Sequence, residues 1–160
     1  LKDSRIHTIS VGASRPDDLN LHLEAVARLK DASTLVVPVQ ERLQQAAADA
    51  LGEDWLHSWR QGLPSWQDTP GEINLPVLLW LHNLLEAWDL ESYAQARYRL
   101  LGSGGHWFAG SNADAFGDTI DEAQLLAVLG NSPWRDRIPG ILRTLKERLA
   151  GESQMRLSSV

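Results

Sequence analysis

Residues 74–88, Asn74-Leu-Pro-Val-Leu-Leu-Trp-Leu-His-Asn-Leu-Leu-Glu-Ala-Trp88, decide the fold. Asn74 suits a helix cap, and Pro76 sits just inside the start, where a missing N–H is tolerated. The residues that follow are apolar on nearly every face, so this helix is predicted to be central and buried. Downstream, Ile138, Ile141, Leu142, Leu145 and Leu149 repeat at helical spacing over 138–150. Between the two, helical periods run over 90–102 and around 120–129. Upstream, Pro38 can open a helix to Leu51, with Val39, Leu43, Ala46, Ala47 and Ala50 on one face and Gly52 placed to close it. A short helical segment covers 54–59. Breaker-rich stretches at 62–73 and 103–118 read as loops. At the front, Arg5-Ile-His-Thr-Ile-Ser-Val11 alternates as a strand does, and Gly12-Ala-Ser-Arg-Pro16 leads into a helix over 16–31. Ser14 is the candidate cap of that helix, and Leu19, Leu23, Val26 and Leu29 form its apolar face. The expected fold class is mainly α, a helical bundle with one β–α unit at its N-terminus.

The 160 residues allow one compact domain or two small ones. There is no cysteine, which excludes disulfides, thiolate zinc, a cysteine nucleophile and cysteine-ligated iron–sulfur clusters. The net charge of −6 argues against nucleic acid as a partner, and no apolar run is long enough for a membrane span. The first residues lack the apolar core of a signal peptide, so a cytoplasmic location and an origin inside a longer polypeptide are expected. The last residues, 152–160, read as a polar tail.

Two segments share a pattern. Thr69-Pro70 is followed six residues later by Pro76 and a helix, and Ser132-Pro133 is followed six residues later by Pro139 and a helix. Two readings are open on spacing alone: an internal duplication, or two ordinary proline-opened helices.

Taken together, 6–29, the stretch Trp59-Arg-Gln-Gly-Leu-Pro-Ser-Trp-Gln-Asp-Thr-Pro70 with the helix after it, and Gly105-His-Trp-Phe108 resemble the C-terminal region of an aldo/keto reductase family. In many members a (β/α)₈ barrel precedes a helical domain similar to a two-cluster ferredoxin. The resemblance is closest over 59–108. Cluster-bearing relatives carry C-x₂-C-x₂-C-x₃-C-P, and setting Pro70 on the motif proline places Trp59, Gly62, Ser65 and Thr69 at the four cysteine positions. Ser132 replaces the terminal cysteine of the second repeat. The resemblance therefore implies a ferredoxin-like helical domain over 35–151 that has lost its cluster ligands, so no iron–sulfur cluster is expected. It implies that 1–34 is the last strand–helix unit of a barrel. Gly12, Ala13 and Ser14 match the family residues that meet the adenosine-phosphate end of NADP(H), and a helix N-terminus with Arg15 suits an anion. Asp18, Leu21 and His22 depart from the family pattern, and Asp17 and Asp18 would repel a phosphate. An ordinary capped helix is the competing reading of the same residues.

The family's catalytic tetrad lies on earlier barrel strands that this chain does not contain, so no catalytic residue is assigned. The implied function is a C-terminal accessory domain of an NADP-dependent oxidoreductase, covering or shaping the active site of a barrel in the same polypeptide and not catalytic alone. The alternative is a protein-interaction or oligomerisation module derived from a redox domain. Among other candidates, the five histidines form no zinc pattern. His82 reads as a satisfied core residue. His106, in Gly104-Gly105-His106-Trp107-Phe108, fits either a ligand pocket or a packed loop. Beginning at Asn112, a calcium loop would need an acid at its twelfth position, where Ala123 stands. The seven tryptophans are expected to be buried with their N–H groups partnered, and Arg143 with Glu147 forms a surface i, i+4 pair.

Overall fold

The computed structural model describes residue 8 and residues 10–102 and 109–151. Most of the strand expected over 5–11, the loop 104–108 with His106, and the tail 152–160 lie outside the described residues. Within them the chain is mainly helical, with two isolated bridges, Ile73 to Ser111 and Phe116 to Ile120, and no longer strand. It divides into two compact units, Leu1–Gln45 and Ala46–Val160.

The first unit holds α1 (Pro16–Ala27), a 3₁₀ turn at Leu29–Asp31, α2 (Ala32–Leu35), and residues 37–45 of α3 (Val37–Leu51). The single helix predicted over 16–31 is broken because Arg28 leaves the helical region and the Asp31 N–H bonds back to its carbonyl at i+3 spacing. Pro16 opens α1 as expected, but the residue at the cap position is Arg15, not Ser14. No residue of α1 or α2 is buried. Leu19, Leu23 and Val26 are 52%, 68% and 49% exposed, and Leu29, Leu35, Val39 and Leu43 are exposed too. Full burial of one such side chain is worth roughly 1.5–3 kcal/mol, and isolated helices shorter than about 12–15 residues are marginal in water. The apolar stripe read from the sequence exists, but it has no cover within its own unit.

The second unit has a contiguous core. Its centre is α5 (Leu75–Trp88), with Leu75, Leu78, Leu79, Leu81, Leu84 and Leu85 all buried. The Asn74 side chain accepts the Val77 N–H, so the expected cap is made. The helix stops where Asp89 adopts a left-handed conformation and the Asp89 and Leu90 N–H groups return to the carbonyls of Leu85 and Leu84. Packed on α5 are α6 (Glu91–Tyr98) and α8 (Ile138–Leu149), which also touch each other. All five inward residues predicted for α8 are buried. Further core side chains come from α4 (Glu53–Ser58) and α7 (Glu122–Val128). Asp121 caps α7 through a reciprocal box with Gln124, at 2.8 and 2.9 Å.

The stretch 109–120 is exposed at Asp114 and 117–119 but pinned at several points. Tyr98, buried, donates its hydroxyl to Asp114 at 2.7 Å, and Lys146 reaches the Phe116 carbonyl and the Asp118 carboxylate at 2.9 and 2.8 Å. Arg143 pairs with Glu122 across the fold instead of with Glu147 along its own helix. Arg148 ties α8 to Glu86 of α5 and Glu91 of α6, each at 3.2 Å.

Candidate functional site

In the first unit, α1 and the residues before it define one candidate site. Gly12, Ala13, Ser14 and Arg15 are all exposed at the start of α1. The Ser14 and Arg15 backbone N–H groups both donate to one oxygen of the Asp18 carboxylate, at 2.8 and 3.0 Å. The Arg15 guanidinium lies 3.5 Å from the same side chain, and the His22 ring nitrogen Nε2 is 3.0 Å from the Gly12 carbonyl. The Ser14 N–H first, then that of Arg15, holds the Asp18 carboxyl below its ordinary range. An internal carboxylate thus occupies the donors that a phosphate would use, and Asp17 adds a second negative charge in the first turn. As arranged, these residues do not fit the phosphate end of NADP(H).

Beside this turn lies a groove of about 590 Å³ lined by Val11, Leu19, Leu23, Ala25, Val26 and Leu29, with His22 as its one titratable side chain. Sequence periodicity located this stripe. That it stays uncovered could be found only in three dimensions.

In the second unit, the two Ser/Thr-Pro segments are structural. Thr69 is buried, with Oγ1 2.7 Å from the Trp66 carbonyl and 2.8 Å from that of Ile73. Ser132 is buried too, and its hydroxyl accepts the Trp134 N–H at 3.2 Å. Gly62, at φ +68°, presses directly on the main chain of the second segment. A Cβ built there would fall 2.0 Å from the Asn131 carbonyl oxygen. Main chain therefore closes the space between Gly62 and residues 131–132. Among the described residues no group of His, Asp or Glu side chains could hold a metal ion.

The tryptophans are less buried than the sequence reading expects. Trp55 is buried, Trp59, Trp66, Trp80 and Trp134 are half-buried, and Trp88 is exposed. Amphipathic indoles reach the surface here because the core volume is filled by leucines. Trp55 is the hub of an aromatic cluster. Its Nε1–H donates to Asn83 at 2.6 Å, and its ring meets His82 edge-on at 5.7 Å and Trp134 at 5.2 Å. The Arg137 guanidinium lies 4.3 Å from the Trp55 ring centre, and Trp134 donates Nε1–H to the Ser58 hydroxyl at 3.0 Å.

His82 corrects the sequence reading most sharply. It is 8% exposed, and neither ring nitrogen has a hydrogen-bond partner. Burial first, then the charges of Arg137 and Arg148, pushes its pKa from 6.5 down to about 4. At neutral pH it is an uncharged imidazole serving as core. Its ring packs on Trp55 in place of the hydrogen bond expected of a satisfied histidine.

Compared with known proteins, the chain matches no family model, no curated protein and no solved structure. No helix among the described residues is long and apolar enough to cross a membrane.

Proposed function

We propose that the chain is the C-terminal accessory domain of an aldo/keto reductase-like, NADP-dependent oxidoreductase, with α1 as the helix that docks on the barrel. The observation that carries this reading is the uncovered apolar face of α1, in a chain whose second unit has a full core of its own. An outer helix of a (β/α)₈ barrel buries such a stripe against the strands, and its stripe stands bare when the strands are missing. The resemblance of 6–29 and 59–108 to that family's C-terminal region supplies the identity of the partner. The second unit would be a cysteine-free relative of the ferredoxin-like helical domain, shaping the entrance to the barrel. Because Asp18 holds the N–H donors of Ser14 and Arg15, the nucleotide would be bound by the rest of the polypeptide and not by residues 12–15.

The test is a titration of the isolated 160-residue chain with NADPH, with turnover measured on a panel of aldehydes and ketones. Neither saturable binding nor turnover is expected. Tight nucleotide binding with carbonyl reduction by this chain alone would overturn the reading. Self-association of the isolated chain through α1, abolished by Leu23→Asp, would favour the oligomerisation module instead, since the same exposed stripe serves either partner.

A further inference from the structure

We infer that residues 53–61, carrying α4, form an acid-released flap over the core, with His82 beneath it as the trigger. The flap lies between two glycines in left-handed conformations, Gly52 at φ +85° and Gly62 at φ +68°. Gly62 is clamped against Asn131, whereas nothing lies within 4 Å of a Cβ built on Gly52, so the hinge is at the Gly52 end. The six-residue helix α4 sends Trp55 inward, where it rests edge-on against the imidazole. It is also tied by the Trp55 to Asn83 hydrogen bond, the Trp134 to Ser58 hydrogen bond, the Arg137 stack on Trp55 and the packing of half-buried Leu56 and Trp59 against the core. The helices α5, α6 and α8 pack on one another without it.

A proton on His82 is strongly disfavoured while the flap is closed. Neither ring nitrogen has an acceptor. From the α8 side come two cations, Arg137 and Arg148. The carboxylates of Glu86 on α5 and Glu91 on α6 are already engaged by Arg148. On α4 itself, Glu53, Asp54 and His57 are exposed, with His57 paired to Glu53. Trp55, which meets the ring edge-on, and Asn83, its neighbour in sequence, carry no charge. Lifting the flap lets water reach the ring, so the open form takes up the proton at the ordinary value and the closed form does not. Above pH 6.5 neither form is protonated, between 6.5 and about 4 the open form alone is, and below about 4 both are.

Hydrogen exchange on the full chain from pH 7.5 to 4, each rate divided by its intrinsic rate at that pH, tests the flap. Opening of 53–61 is expected to rise by up to about tenfold per pH unit below 6.5, reaching about 150-fold at pH 4, where the closed form begins to take up the proton too. Residues 75–88 and 138–149 should keep their protection over the same range. His82→Phe and His82→Gln, one aromatic and one polar, should both remove the slope, and either one that folds suffices. The inference is overturned by a flat wild-type profile, by the same slope in the variant, or by 75–88 opening in step with 53–61.

Discussion

Gly62→Ala is expected to destabilise the second unit by about 4 kcal/mol, among the largest losses a single methyl can cause. Two penalties combine. At φ +68° any L side chain is strained, which costs about 1–2 kcal/mol. The new Cβ would also stand 2.0 Å from the Asn131 carbonyl oxygen and 2.8 Å from the Ser132 nitrogen. Those are main-chain atoms of a turn, so no rotamer change relieves the overlap and the 131–132 segment must move. Gly117 provides the control. Its φ is +85° with nothing within 4 Å, so Gly117→Ala should lose only the conformational part. Urea denaturation of both variants separates the two penalties. Equal midpoints would show that Gly62 does not touch the second Ser-Pro segment.

Trp55→Ala should rank beside it, at about 4 kcal/mol. The loss has three sources. The indole is 1% exposed and is the common contact of His82, Trp134 and Arg137. Its removal leaves a cavity that a short helix between two glycines fills poorly. It also strips Asn83, itself buried, of the donor for its side-chain oxygen. Trp55→Phe keeps most of the packing but still strands Asn83, so about 2 kcal/mol is expected for it. Equilibrium denaturation measures both, and a cost below about 1 kcal/mol for Trp55→Ala would contradict the cluster as described.

Local chemistry explains which parts of this fold are legible in the sequence. The Asn74 cap, the prolines at the starts of α5 and α8 and the 3.6-residue period of α8 each act within a few residues, and each is present as expected. Interactions between distant residues are not written in spacing. The Trp55 bond to Asn83, the Tyr98 bond to Asp114 and the choice of Glu122 over Glu147 by Arg143 depend on which loops meet. Hydrophobic periodicity says that a face must be buried and is silent on what buries it, so α1 was readable as a helix but not as an uncovered one. At the candidate site the helix start was legible and its occupant was not. Asp18 sits in the first turn of α1, where it reads as a charge that repels a phosphate, and it curls back to take the two N–H groups that an external anion would need. His82 misled for a related reason. Burial on α5 was plain from its neighbours, while the lack of any acceptor depends on helices that approach from elsewhere.

As proposed, α1 is half of an interface whose other half is an aldo/keto reductase-like barrel in the same polypeptide. The most direct test is hydrogen exchange of residues 16–27, measured in this chain alone and in the polypeptide extended N-terminally through such a barrel. In the isolated chain these amides are expected to exchange nearly as fast as unstructured ones, while 75–88 stay protected. In the extended polypeptide, 16–27 should become as protected as 75–88. Strong protection of 16–27 in the isolated chain, or none in the extended one, would contradict the assignment.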